Sequence, residues 1–64
     1  MLWTDVSEIA IELYEKHTDV DPRYILFTDL HILVLRLEGF NDDPAKSNER
    51  ILEAIQMYWI EEID

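Results

Sequence analysis

The sequence contains no cysteine, a single glycine, two prolines and only five basic residues, and it has no long apolar run. Each shortage removes a class of protein. Without thiols there is no disulfide staple, no persulfide carrier and no thiolate ligand for an iron-sulfur cluster. The lone glycine, Gly39, leaves no glycine-rich loop to cradle a phosphate. Five Lys and Arg stand against fifteen Asp and Glu, a formal charge of −10. Such a field repels nucleic-acid phosphates and anionic lipid, so basic surfaces or cations are the expected partners. No stretch approaches the roughly 18 apolar residues of a membrane helix. The first residues lack the basic start and apolar run of a secretory signal, so the expected location is cytoplasmic.

What is present is apolar enough to fold. Hydrophobic residues make up 48% of the chain, with two Trp, three Tyr and two Phe, which is too many for a disordered tail. At 64 residues there is room for one domain, 1–64, expected as a monomer-sized unit stabilised by packing alone.

Val6, Ile9, Ala10, Leu13 and Tyr14 recur at helical spacing and predict an amphipathic helix over residues 5 to about 17, with Asp5 as its cap and Glu8 reaching back in a capping box. Asp21-Pro22 marks a break. Tyr24 to Phe27 form a short apolar run that fits either an extended segment or a helical turn. Thr28 is the expected cap of a second helix over about 28–38, with Leu30, Leu33, Val34 and Leu37 inward and Gly39 as its stop. Ile32 and Leu35 lie off that stripe, so this helix is either buried on two sides, the expected case, or exposes apolar surface. Asp43 or Ser47 is expected to cap a third helix over about 44–63, whose inner face is Ile51, Ala54, Ile55 and Tyr58, with Trp59 a further candidate. The fold class is all-α, a compact three-helix domain.

Asp5, Glu8, Glu12, Glu15 and Asp19 recur at spacings that stack them on one face of the first helix, away from the apolar stripe. A merely solvated face would normally mix both signs, so the charge of the whole chain favours a binding surface. Asp19 with Asp21, and Asp42 with Asp43, offer paired oxygen ligands to a hard or borderline cation such as Fe²⁺ or Mg²⁺. Turn-forming aspartates beside proline also serve purely structural ends. His17 and His31 have no partner at i, i+4 and read as surface or capping residues. Ser7 and Ser47 sit where helix starts favour serine, which argues against a hydrolytic triad. A carboxylate pair for acid/base chemistry would need a pocket, and three short helices supply little of one. The expectation is therefore no enzymatic activity.

The residues that punctuate the helices resemble the IscX family, also called YfhJ, over the whole chain. The resemblance rests on Leu2-Trp3-Thr4-Asp5, Asp21-Pro22, Phe27-Thr28-Asp29-Leu30-His31, Leu37-Glu38 with Phe40, Asp42-Asp43-Pro44, Ser47-Asn48-Glu49 leading into Ile51-Leu52-Glu53-Ala54-Ile55, and Trp59-Ile60-Glu61-Glu62. It implies a helical fold related to winged-helix and helix-turn-helix domains, and a role in iron-sulfur cluster assembly as a regulator or iron-dependent adaptor. It further implies binding to a cysteine desulfurase through acidic surface, and weak binding of Fe²⁺ with no tightly held cofactor. Carried onto this sequence, the partner-binding surface is Glu8, Glu12, Glu15, Asp19, Asp29 and Glu38, and the metal ligands are Asp19, Asp21, Asp42 and Asp43. Arg36 and Gly39 interrupt a segment expected to be more acidic in the family. The alternative function is that of an acidic nucleic-acid mimic that blocks a basic DNA-binding site. A DNA-binding role for the chain itself is disfavoured by its charge.

Overall fold

The computed structural model describes all residues, 1–64. Three helices follow one another: α1 over Val6–Lys16, α2 over Phe27–Leu35 and α3 over Glu49–Ile63, with a short 3₁₀ turn at Pro44–Lys46 before α3. No residue is in a strand, so the fold is all-α and has no β-wing. α1 and α3 make the dominant interhelix contact, and α2 packs across them less extensively, in a body of 29 × 21 × 17 Å.

The ends of the helices differ from the expected ones in instructive ways. Asp5 stands at the N-cap of α1 but makes no capping bond. Its carboxylate instead accepts the Leu2 amide at 2.8 Å, and its own amide donates to the Leu2 carbonyl at 2.9 Å. This reciprocal pair closes a turn ahead of the helix and turns the Asp5 carboxylate toward Leu2 instead of toward the first-turn amides of α1. α1 ends at Lys16, and a further turn carries the chain through Thr18 and Asp19 to a buried Pro22. The Pro22 carbonyl accepts the Gln56 side-chain amide at 2.8 Å, which fastens this loop to α3.

The ambiguous run after Pro22 is neither strand nor helix until Phe27, which opens α2; Tyr24 and Leu26 are exposed. Thr28 therefore falls inside the helix and caps nothing, while the capping position belongs to Leu26, which has no side-chain acceptor. Starting there turns Leu30 and Val34 fully inward. The expected two-sided burial does not hold, because Ile32 is 44% exposed. α2 stops at Leu35, and Gly39 serves the turn that follows, at φ +87°, a conformation that side-chain-bearing residues avoid.

The third expected helix is split. Asp43 caps only the 3₁₀ turn, accepting the Ala45 amide at 2.9 Å, and the chain then extends through Ser47 and Asn48. Asn48, rather than Ser47, caps α3 by accepting the Ile51 amide at 2.9 Å.

Ten apolar side chains form the core: Trp3, Ile9, Ala10, Leu13, Leu30, Val34, Leu37, Leu52, Ile55 and Trp59. The inner face of α3 is thus Leu52, Ile55 and Trp59, while Ile51 and Ala54 are only half-buried and Tyr58 is exposed. Leu33 is likewise half-buried.

Candidate binding surface

Trp3 organises one end of the molecule. Its indole is 1% exposed, stacks on the His31 ring at 5.2 Å between centroids and meets the Phe40 ring edge-on at 4.8 Å. The indole N–H donates to the Asp43 carbonyl at 2.8 Å, and the Trp3 amide donates to the Asp42 carboxylate at 3.0 Å. The second Asp42 oxygen accepts the Asp43 amide at 2.7 Å, and His31 Nε2 lies 3.0 Å from the Pro44 carbonyl. The Asp42-Asp43-Pro44 segment is therefore the receptacle of Trp3, ahead of α1.

Asp19 and Asp21 lie beyond the other end of α1, a helix of 11 residues that spans ~16 Å at ~1.5 Å per residue. Asp21 accepts both Nε and a terminal nitrogen of Arg23, at 3.1 and 3.0 Å. The structure thus places the four aspartates at two separate ends, and no three His, Asp or Glu side chains converge on one point.

The carboxylates expected to bind a partner occupy several elements. Glu8 and Glu15 are exposed and Glu12 is half-buried along α1, on the side away from Ile9, Ala10 and Leu13. Asp19 leaves this row because the helix ends before it. Asp29 is exposed in the first turn of α2, and Glu38 is exposed in the turn after that helix. The chain neutralises very little of this charge internally: Arg23–Asp21 is the single ion pair, and none of the other fourteen acidic residues has one.

A cleft of about 390 Å³ lies where the last turns of α1 and α3 meet, lined by Tyr14, Glu15, His17 and Thr18 from one side and Trp59 and Ile63 from the other. Sequence reasoning missed it, since a hollow between two helix ends leaves no local spacing signal.

Two carboxyls are held below their ordinary range. Asp21 is lowered by the Arg23 guanidinium hydrogen-bonded to it, and that contact raises Arg23 in turn. Asp42 is lowered by the Trp3 amide and then by the Asp43 amide. A lowered folded value means that the Asp42 contribution to stability is complete above the ordinary value of 3.8 and is lost as pH falls through the lowered one. Asp42→Asn is accordingly expected to melt below the parent at pH 7, with the gap closing well under pH 3.8. Thermal melts followed by circular dichroism at the two pH values check this. A gap unchanged in acid would show that the ionised carboxylate is not the cause.

The fold and this surface define a small all-helical acidic protein with most of its carboxylates exposed, and no helix is long and apolar enough to cross a membrane. A family model described as iron-sulphur cluster assembly matches residues 1–64, and the chain belongs to that family, as its IscX-like motifs imply. A curated relative, an uncharacterised protein of Pseudomonas aeruginosa, is 58% identical over 62 residues, covering 97% of this chain and 94% of its own length.

Proposed function

We propose that the chain is a non-catalytic accessory protein of iron-sulfur cluster assembly. It docks on a basic surface of the cysteine desulfurase through Glu8, Glu12 and Glu15 on α1, with Asp19, Asp29 and Glu38 at the margins. The supporting observation is the row of carboxylates that no Lys or Arg of the chain pairs with. Like charges at i, i+4 cost a helix roughly 0.2–0.5 kcal/mol per pair, and a basic partner relieves that cost. A catalytic carboxylate would be poised by burial in a cleft, whereas the two perturbed aspartates are displaced toward stronger acidity by hydrogen bonds. The relation to winged-helix and helix-turn-helix domains belongs to this reading as an ancestry without retained DNA binding.

The residues do not fit a resident iron. Both oxygens of Asp21 accept from Arg23, and both oxygens of Asp42 accept backbone amides. Fe²⁺ is instead a weakly held, exchangeable ion at either of two separate pairs, Asp19 with Asp21 or Asp42 with Asp43, using the lone pairs that remain, without preformed soft ligands. Anaerobic titration is expected to show weak binding that excess Mg²⁺ competes away; tight stoichiometric uptake would contradict it. The docking reading is tested by affinity capture from cell extract at low and high salt. Recovery of the desulfurase at low salt and its release at high salt supports the proposal. Recovery of DNA-binding proteins alone would favour a nucleic-acid mimic.

A further inference from the structure

We propose that the cleft between the C-terminal ends of α1 and α3 is an anchoring site for one arginine side chain of the basic partner, seated against the Tyr14 ring and beside the Glu15 carboxylate. This rests on the docking reading above and names the chemistry of its anchor.

Several independent features of the cleft select a guanidinium. Its volume of about 390 Å³ holds a single long side chain, at the small end of the ~300–1,000 Å³ typical of ligand pockets. One wall is an aromatic residue: Tyr14 lines the cleft and is 41% exposed, which leaves part of its side chain uncovered for a planar cation to pack against. Buried Trp59 and the half-exposed Ile63 supply an apolar base for the methylene stem. Two helices end here, and the C-terminal end of a helix carries partial negative charge and unpaired carbonyls. The last backbone bond that closes on α1 runs from His17 to Leu13, so the carbonyls of Tyr14, Glu15 and Lys16 receive no donor from the protein. Arginine brings five N–H donors in a fixed plane to such a rim, where lysine brings a compact, strongly hydrated charge. The chain does not fill the cleft with a guanidinium of its own, because Arg23 is held bidentately on Asp21.

The probe is acetyl-arginine amide, titrated into isotope-labelled protein and followed by amide chemical shifts. Its uncharged isostere acetyl-citrulline amide is the control. Arginine amide is expected to move the signals of residues 14–18 and 59–63 with an affinity of about 1 mM, and citrulline amide to bind at least about fivefold more weakly. Thr18→Trp, which fills the cleft, and Tyr14→Leu, which removes the ring, are both expected to remove the response, with circular dichroism showing that each remains helical. Equal shifts from both probes, or shifts as large at Glu8 and Glu12 as in the cleft, overturn the proposal, since they would report loose association along the acidic face. Titration of the desulfurase separates this inference from the one beneath it. Tyr14→Leu should lose about fivefold in affinity while keeping the salt dependence of the parent. If Glu8→Lys/Glu12→Lys fails to bind but Tyr14→Leu binds as the parent does, docking stands and the anchor falls. If the double reversal binds normally, the docking reading itself falls.

Discussion

Reversing Glu8, Glu12 and Glu15 together to lysine is expected to leave the protein folded and to weaken desulfurase binding by at least about 100-fold. None of the three belongs to the buried core, Glu8 and Glu15 being exposed and Glu12 half-buried on the side away from Ile9, Ala10 and Leu13, so the core itself is left intact. A lysine at position 8 does face the positive end of α1, which costs only about 0.3–1 kcal/mol. The proposed docking is expected to respond far more strongly, because each reversal would remove an attraction and install a repulsion against the same basic surface, and close charge pairs across an interface are worth about 1.5–7 kcal/mol each. Salt supplies the second signature. At about 0.15 M the Debye length is roughly 8 Å, so the long-range steering that brings the partners together is screened away and the parent should bind more weakly. Titrations of parent and variant at two ionic strengths, with circular dichroism on each, measure both effects. A triple reversal that binds like the parent would make the α1 row an ordinary solvated face.

Trp3→Ala is expected to unfold most of the population at room temperature. Truncating a buried Trp costs about 3–5 kcal/mol, and a core in a chain of this length seldom supplies more than about 3–5 kcal/mol in total. The loss is compounded because Trp3 holds three segments together: its indole packs on His31 of α2 and on Phe40, and its N–H satisfies the Asp43 carbonyl. Trp3→Phe keeps an aromatic ring but abandons that carbonyl, which lowers the expected cost to about 1–3 kcal/mol. Urea unfolding of the two variants beside the parent would show the order. An alanine variant as stable as the parent would mean that Trp3 is dispensable to the core.

Periodicity located α1 and named all three of its buried residues, Ile9, Ala10 and Leu13, but it also set Tyr14 on the inner stripe, where the structure leaves it 41% exposed. α3 was harder for a definite reason. Ile51, Ile55 and Tyr58 satisfy the spacing as well as Leu52, Ile55 and Trp59 do, and the pattern alone cannot rank them. The structure chooses the second set, which buries the larger Trp59 and leaves the Tyr58 hydroxyl near water. Caps failed where a side chain had a competing partner, as with Asp5 and the Leu2 amide, or where the capping position fell two residues early, at Leu26 instead of Thr28. The break before α3 had a readable signal in Asn48, a strong capping residue three positions before Ile51. Burial of Trp3 had none in its own neighbourhood, since its partners Phe40 and Asp43 lie far along the chain. The α1 row of Glu8, Glu12 and Glu15 was legible because it is a property of one helix. The cleft beside it exists only once two helix ends are brought together, which no local pattern encodes.

The pairing of α1 with α3 sets the order in which the protein can assemble. The helix made first has its principal partner in the helix made last, and α2 between them offers either one only a minor surface. Neither α1 nor α2 is long enough to persist alone in water, where isolated helices shorter than about 12–15 residues are marginal. During synthesis the apolar face of α1 must therefore wait until the final turns of α3 have appeared. Order is therefore expected to arrive cooperatively, once α1 and α3 can pack together, rather than helix by helix.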